Sequence, residues 1–164
     1  MNTLKTFATA TALACLTALT SLPAAAESLA APATDSGVVR VKSAYSVPET
    51  VKRLEADVAA KGIKFFDEID QAKLAEGAGI TLRPSTLIIF GNPPLGIQFL
   101  TSNPYSGLDW PVRMLVFQDT DGQVWIAYTD FAFIGRRHHI ADRDAQLKMA
   151  SEVAASIASA AQPK

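Results

Sequence analysis

The sequence predicts an α+β domain: helices packed over one face of a mixed, largely antiparallel sheet of about five strands. Three observations carry this. Apolar residues alternate with period two in several short runs and recur at helical spacing in others. Gly, Pro, Asn and Asp punctuate the runs. The last two strand-like runs are joined by Asp119-Thr120-Asp121-Gly122, whose composition is that of a hairpin turn. The predicted order is β-α-β-α-β-α-β-β-α, ending in a further C-terminal helix.

Residues 1–26, MNTLKTFATATALACLTALTSLPAAA, read as a secretory signal. Lys5 is followed by an uncharged run and then Ala24-Ala25-Ala26, with cleavage expected after Ala26. No acidic residue precedes Glu27, and no amphipathic face can be drawn, which argues against a buried helix. Pro23 closes the run against a membrane anchor. Ala12-Leu13-Ala14 ahead of Cys15 lacks the aliphatic residue usual in a lipid-attachment motif, though lipidation at Cys15 stays open. Residues 27–37 are small and polar, a flexible leader.

A first strand begins at Val38 and alternates to Tyr45. Ser46-Val47-Pro48-Glu49 has the form of a capping box, with Pro48 in the first turn. Val47, Val51, Leu54 and Val58 then fall on one helical face, closed by Lys61-Gly62. Ile63 to Ile69 reads as a second strand. Asp70 caps a short helix over Gln71 to Ala78, ended by Gly79. Ser85 to Phe90 is apolar on both faces, the mark of a central strand. Gly91 makes a sharp exit, Asn92 caps, and Pro93 opens a helix that runs to Ser102 and stops at Asn103-Pro104. Val112 to Gln118 and Gln123 to Thr129 form the hairpin. Asp130 caps a helix from Phe131, the pattern stutters near His139 to Asp142, and a final helix runs from about Asp144 to Ala160. The organisation is signal 1–26, leader 27–37, domain 38–140 and C-terminal helical extension 141–164.

Removing the signal would leave 138 residues with fourteen Lys and Arg against sixteen Asp and Glu, a net charge of −2. That balance argues against nucleic-acid binding, which needs clustered cations. It would also remove the only cysteine, and with it disulfide and thiolate chemistry. No Walker loop or Gly-x-Gly-x-x-Gly occurs, and Pro93-Pro94 removes two of the N–H groups that a phosphate cradle would need.

Three segments in fixed order, PETVKRLEADVAAKGIKFFDEID, LRPSTLIIFGNPPLGIQFL and GLDWPVRMLVFQDTDGQVWIAYTD, with RRHH just beyond, resemble the family known as domain of unknown function 302. The resemblance covers about Val38 to His139 and implies a compact α/β fold and a homodimer; it implies no activity. Family members commonly carry a histidine after an Ile-Asp pair, where this chain has Gln71 after Ile69-Asp70. Gln71 hydrogen-bonds but does not titrate near neutral pH. The family's second histidine matches His138.

The candidate ligand-binding residues are Asp70, Gln71, Asn92, Arg113 and His138. His138 shares a helical stripe with Phe131 and Ile134 and is expected to lean inward. Either it caps the helix end against the dipole, or it pairs with Asp70 or Asp130 as base or weak metal ligand. His138 and His139 point about a hundred degrees apart on a helix, too far to grip one metal together. Asp70 and Asp130 are otherwise N-caps. Arg83 and Arg113 would form a mouth for a small anion near Asn92 if their strand ends meet, and are otherwise surface ion pairs. Trp110 lies in a loop, and Asp109 before it organises a turn. An exposed tryptophan there would suit an interface or ligand stacking. The expected function is a secreted or periplasmic, non-enzymatic homodimeric module for a ligand or partner, with no cofactor and no membrane contact after cleavage. The alternative is a small metal-binding protein or enzyme around His138, Asp70 and Asn92.

Overall fold

The structure, a computed structural model, describes residues 34–163. The expected signal peptide, Cys15 and most of the leader lie outside the described residues. The elements are β1 (Val38–Lys42), α1 (Val47–Ala60), β2 (Lys64–Asp70), α2 (Gln71–Gly77), β3 (Ser85–Gly91), α3 (Pro93–Ser102), a 3₁₀ turn (Pro104–Leu108), β4 (Val112–Gln118), β5 (Val124–Thr129), α4 (Phe131–Arg137) and α5 (Asp144–Ser159).

The sheet order is β1-β5-β4-β3-β2, and all four pairings are antiparallel. The α+β class is therefore as expected, with no parallel pair to make the sheet mixed. β4 occupies the middle. β3 is interior but second from one edge, because the short arm β2–α2 folds back outside it.

Strand alternation sorts the side chains between two faces. Ile88, Met114, Val116 and Ile126 point to the helix side and are wholly buried. They meet Leu54 and Val58 of α1, Phe99 of α3, Phe131 of α4 and Ile157 of α5 in one core. The other face carries Ile69, Leu87, Ile89, Leu115, Phe117 and Trp125, each only partly buried. α5, expected as an extension beyond the domain, places Leu147, Ala150, Ala154 and Ile157 in the same core.

Two local devices differ from expectation. Ser46 makes no side-chain cap at α1, and Glu49 pairs with Arg53 at 2.9 Å instead of reaching back. β1 ends at Lys42, because the next residue turns away: Ser43 and Thr50 share a buried hydroxyl hydrogen bond of 2.6 Å. The stutter after α4 is a Schellman motif. Ile140 N–H donates to Gly135 O at 2.9 Å and His139 N–H to Arg136 O at 3.2 Å. His139 takes the left-handed position, φ 52°, normally held by glycine.

Candidate functional site

The polar centre of the domain forms where the 3₁₀ turn runs into β4 and the end of α4 comes alongside. Asn103 starts the turn by accepting from Tyr105 N–H at 3.0 Å. Asp109 closes it, its own N–H donating to Ser106 O. The Asp109 side chain is 5 % exposed and faces two guanidinium groups and an imidazole. The His138 Nε2 atom lies 2.6 Å from its Oδ2. Arg113 Nη2 donates to Oδ1 at 3.1 Å. Arg137 Nη1 lies 3.3 Å from Oδ1 and 3.2 Å from Oδ2. His138 is held at both ends, since Asn103 Nδ2 also donates to the His138 carbonyl at 2.8 Å. The guanidinium side chains are half-exposed, whereas the imidazole and carboxylate are buried.

His138 therefore leans inward as its stripe with Phe131 and Ile134 implied, but its partner is Asp109, not Asp70 or Asp130. Asp130 caps α4, accepting from Phe133 N–H at 3.1 Å, and also accepts from Ser151 Oγ at 3.3 Å. Burial, assisted by the Asp130 charge, pushes the Tyr128 phenol up to about 12.

The remaining candidates do not converge. Asp70 caps α2, accepting from Lys73 N–H at 2.9 Å, and Gln71 Oε1 accepts from Ser85 Oγ at 2.8 Å. Both sit at the start of β3, since Asp70 pairs with Thr86. Asn92 follows the far end of β3 and caps α3 through Leu95 N–H at 3.3 Å. Six strand residues, roughly 20 Å, separate the two places. The expected arginine mouth fails for the same reason. Arg83 precedes Ser85, which pairs with Phe117, while Arg113 pairs with Ile89 at the other end of β4. Arg113 is instead committed to Asp109 and to Leu108 O, to which it donates at 2.7 Å.

Trp110 is not a free loop residue. It is half-buried, joined to Pro111 by a cis peptide bond, and stands edge-on to Phe66 at 6.1 Å between ring centres. Its indole fills the space above Gly96: a Cβ there would lie 1.9 Å from Nε1. Beside it is a narrow apolar cavity of about 30 Å³, lined by Phe90, Asn92, Leu95, Phe99, Phe131 and Val153 among others.

A buried carboxylate–imidazole pair is the orienting half of many acid–base sites. Here the carboxylate is saturated by its own neighbours. Among the described residues no three His, Cys, Asp or Glu side chains gather closely enough to hold a metal ion. Asp109 is the residue that sequence reasoning missed. The Asp109–Arg113 spacing of four was visible, but the second and third partners arrive from the end of α4 and its C-cap, 28 and 29 residues later.

Among curated proteins, the chain is 40% identical over 106 residues to "Fluoride-specific ion channel FluC 1" of Brucella suis biovar 1 (strain 1330), covering 65% of this chain and 42% of that protein. It matches "Fluoride-specific ion channel FluC 1" of Brucella abortus biovar 1 (strain 9-941) at the same identity, covering 39% of it. The chain thus spans about two fifths of the length of these relatives. No described helix is long and apolar enough to cross a membrane. Among solved structures, the uncharacterized conserved protein DUF302 from Bacillus stearothermophilus superposes with a TM-score of 0.70 at 16% identity, over 77% of this chain and 98% of that one, which shows the fold. Residues 39–162, from the second residue of β1 to just beyond α5, match the family described as domain of unknown function DUF302, and the chain belongs to that family.

Proposed function

We propose that the chain is a non-enzymatic, homodimeric binding module that works in the periplasm or outside the cell. One observation carries the non-enzymatic part. The carboxylate of the one buried carboxylate–imidazole pair found in the described domain has its acceptor capacity taken up by Arg113, Arg137 and the His138 ring. A general base must keep an acceptor free for its substrate, and a metal centre needs further ligands. Asp109 is a structural clamp that fixes the 3₁₀ turn to α4. The compartment rests on the residue pattern up to Ala26, and the mass of the mature protein tests it: 138 residues starting at Glu27 are expected.

Thermal unfolding with zinc, copper, iron and haem tests the function itself. A ligand of the folded state must raise the midpoint, so all four are expected to leave it unmoved. A rise that His138→Ala abolishes would replace this reading with a metal site.

The curated relatives favour a partner of one kind. In proteins named as fluoride-specific channels, a stretch similar to this chain makes up about two fifths of the polypeptide. A module carried in such a protein suits docking on a membrane channel, and here it would do so as a separate chain. Fluoride efflux from vesicles holding a fluoride-specific channel is expected to change when this protein is added. Unchanged flux together with failure to co-purify would remove the channel as partner.

A further inference from the structure

Among the described residues, the sheet has one face sealed by helices and one that is not. On the unsealed face the lateral rows run straight across all five strands. One row reads Arg40, Ala127, Leu115, Leu87, Ile69, and the next reads Val38, Thr129, Arg113, Ile89, Asp67. The centre is apolar, and the two edges differ in charge. Arg40 and Lys42 stand on β1, with the Arg40 guanidinium lying 4.2 Å from the Trp125 ring centre and 5.9 Å from that of Phe117. Asp67 stands on β2. Of the other charges on this face, Arg113 is paired with Asp109, and Lys64 stands near the far end of β2 with its ammonium 5.0 Å from the Phe66 ring centre.

We propose that this face packs against the same face of a second copy, about a two-fold axis that runs along β4. The proposal rests on the homodimeric reading above and assigns its surface. Two arguments select the axis. A two-fold along the strands lays β1 of one copy over β2 of the other, so that Arg40 and Lys42 approach the partner edge bearing Asp67. A two-fold across the strands would lay β1 on β1 and set like charges against one another. Size complementarity points the same way. The chosen axis sets β5 over β3, with Trp125 opposite Ser85 and Ala127 opposite Leu87, each large side chain over a small one. Leu115 meets its own copy at the axis.

The area suffices. Five strands about 4.8 Å apart and about six residues long present roughly 500 Å² per copy, or about 1,000 Å² in total, the lower bound of a specific interface. Facing sheets pack about 10 Å apart with their strands rotated by about 30°, which brings the long Arg40 side chain within reach of Asp67 across the interface.

Light scattering on the purified protein over a series of concentrations tests the surface. The native protein is expected to have twice the monomer mass. Leu115→Asp should give monomer with native circular dichroism. Arg40→Asp should weaken the dimer about tenfold or more, and adding Asp67→Arg should restore it, a rescue that no purely structural role of Arg40 produces. A dimeric native protein whose mass survives Leu115→Asp and Arg40→Asp overturns the surface and leaves the homodimer standing. A native protein that is monomeric throughout overturns both. If Leu115→Asp fails to fold, the charge swap still decides.

Discussion

Replacing Asp109 by alanine separates a structural clamp from a working site. The substitution takes away a carboxylate whose side chain is 5 % exposed, together with its contacts to Arg113, Arg137 and His138. Breaking a fully buried ion pair costs about 3–5 kcal/mol. Here the two guanidinium side chains are half-exposed and turn back to water, so their share is small. The imidazole cannot: it is 6 % exposed and is left with an unpaired buried nitrogen, a loss of about 1–3 kcal/mol. Adding the small cavity gives about 3 kcal/mol. For a domain of this size each kcal/mol moves the midpoint by about 4 °C, so Asp109→Ala should lower Tm by roughly 12 °C. Urea unfolding of Asp109→Ala, His138→Ala and the double variant completes a cycle, with an expected coupling of about 1–2 kcal/mol. A Tm that stays within about 2 °C, or rises, would refute the clamp, because groups kept for ligand binding are the ones whose removal stabilises.

Three further outcomes are expected. His139→Gly relieves the left-handed residue of the Schellman motif and should stabilise the protein by about 1 kcal/mol in urea unfolding. Gly96→Ala drives a Cβ into the Trp110 indole, so it should cost about 1–3 kcal/mol and red-shift the tryptophan emission as the ring is pushed outward. Glu55 has its carboxyl pKa raised, first by burial and then by the Glu68 charge and hydrogen bond across from α1 to β2. A carboxyl that binds its proton more tightly when folded contributes stability below its unfolded pKa and loses it as pH rises through the folded value. Glu55→Gln should therefore leave Tm unchanged near pH 3 and raise it at pH 7; an equal effect at both would show that the charge plays no part.

Most of the fold was legible because it is written in local patterns. α3 and β4 begin and end where Asn92-Pro93, Asn103-Pro104 and the alternation from Val112 place them. Asp70, Asn92 and Asp130 all cap through their side chains. Gly122 takes φ 80° at the hairpin, as its turn requires. Asp119 holds the same turn by accepting from Asp121 and Gln123 N–H, and its 2.6 Å bond from Trp125 Nε1 is the main cause of a lowered carboxyl pKa. The polar centre was not legible, because it is made by topology. Asn92 and Asp70 flank one strand in sequence and so stand at its opposite ends in space. Asp109 and His138 lie 29 residues apart and meet only once β5 returns beside β4. Nothing local to Asp109 distinguishes a buried partner of two guanidinium groups and an imidazole from a turn residue. Trp110 misled in the same way: a loop tryptophan reads as exposed until the missing side chain of Gly96 is seen to make its seat.

The arm built from β2 and α2 has a dynamic consequence. β2 keeps no buried residue, α2 contributes none to the core, and Leu74 and Ile80 remain 65 % and 62 % exposed. Opening the arm sacrifices the ladder between β2 and β3 and the edge contact of Phe66 with Trp110, whereas freeing β4 or β5 dismantles the core. Amide hydrogens of residues 64–77 should therefore exchange with solvent through local opening, at rates insensitive to mutations such as Asp109→Ala, while those of β4 and β5 wait for global unfolding. The domain would thus shed one edge of its sheet long before it melts, and Asp67 and Glu68 on that edge would keep the exposed strand from pairing with stray chains in the interval.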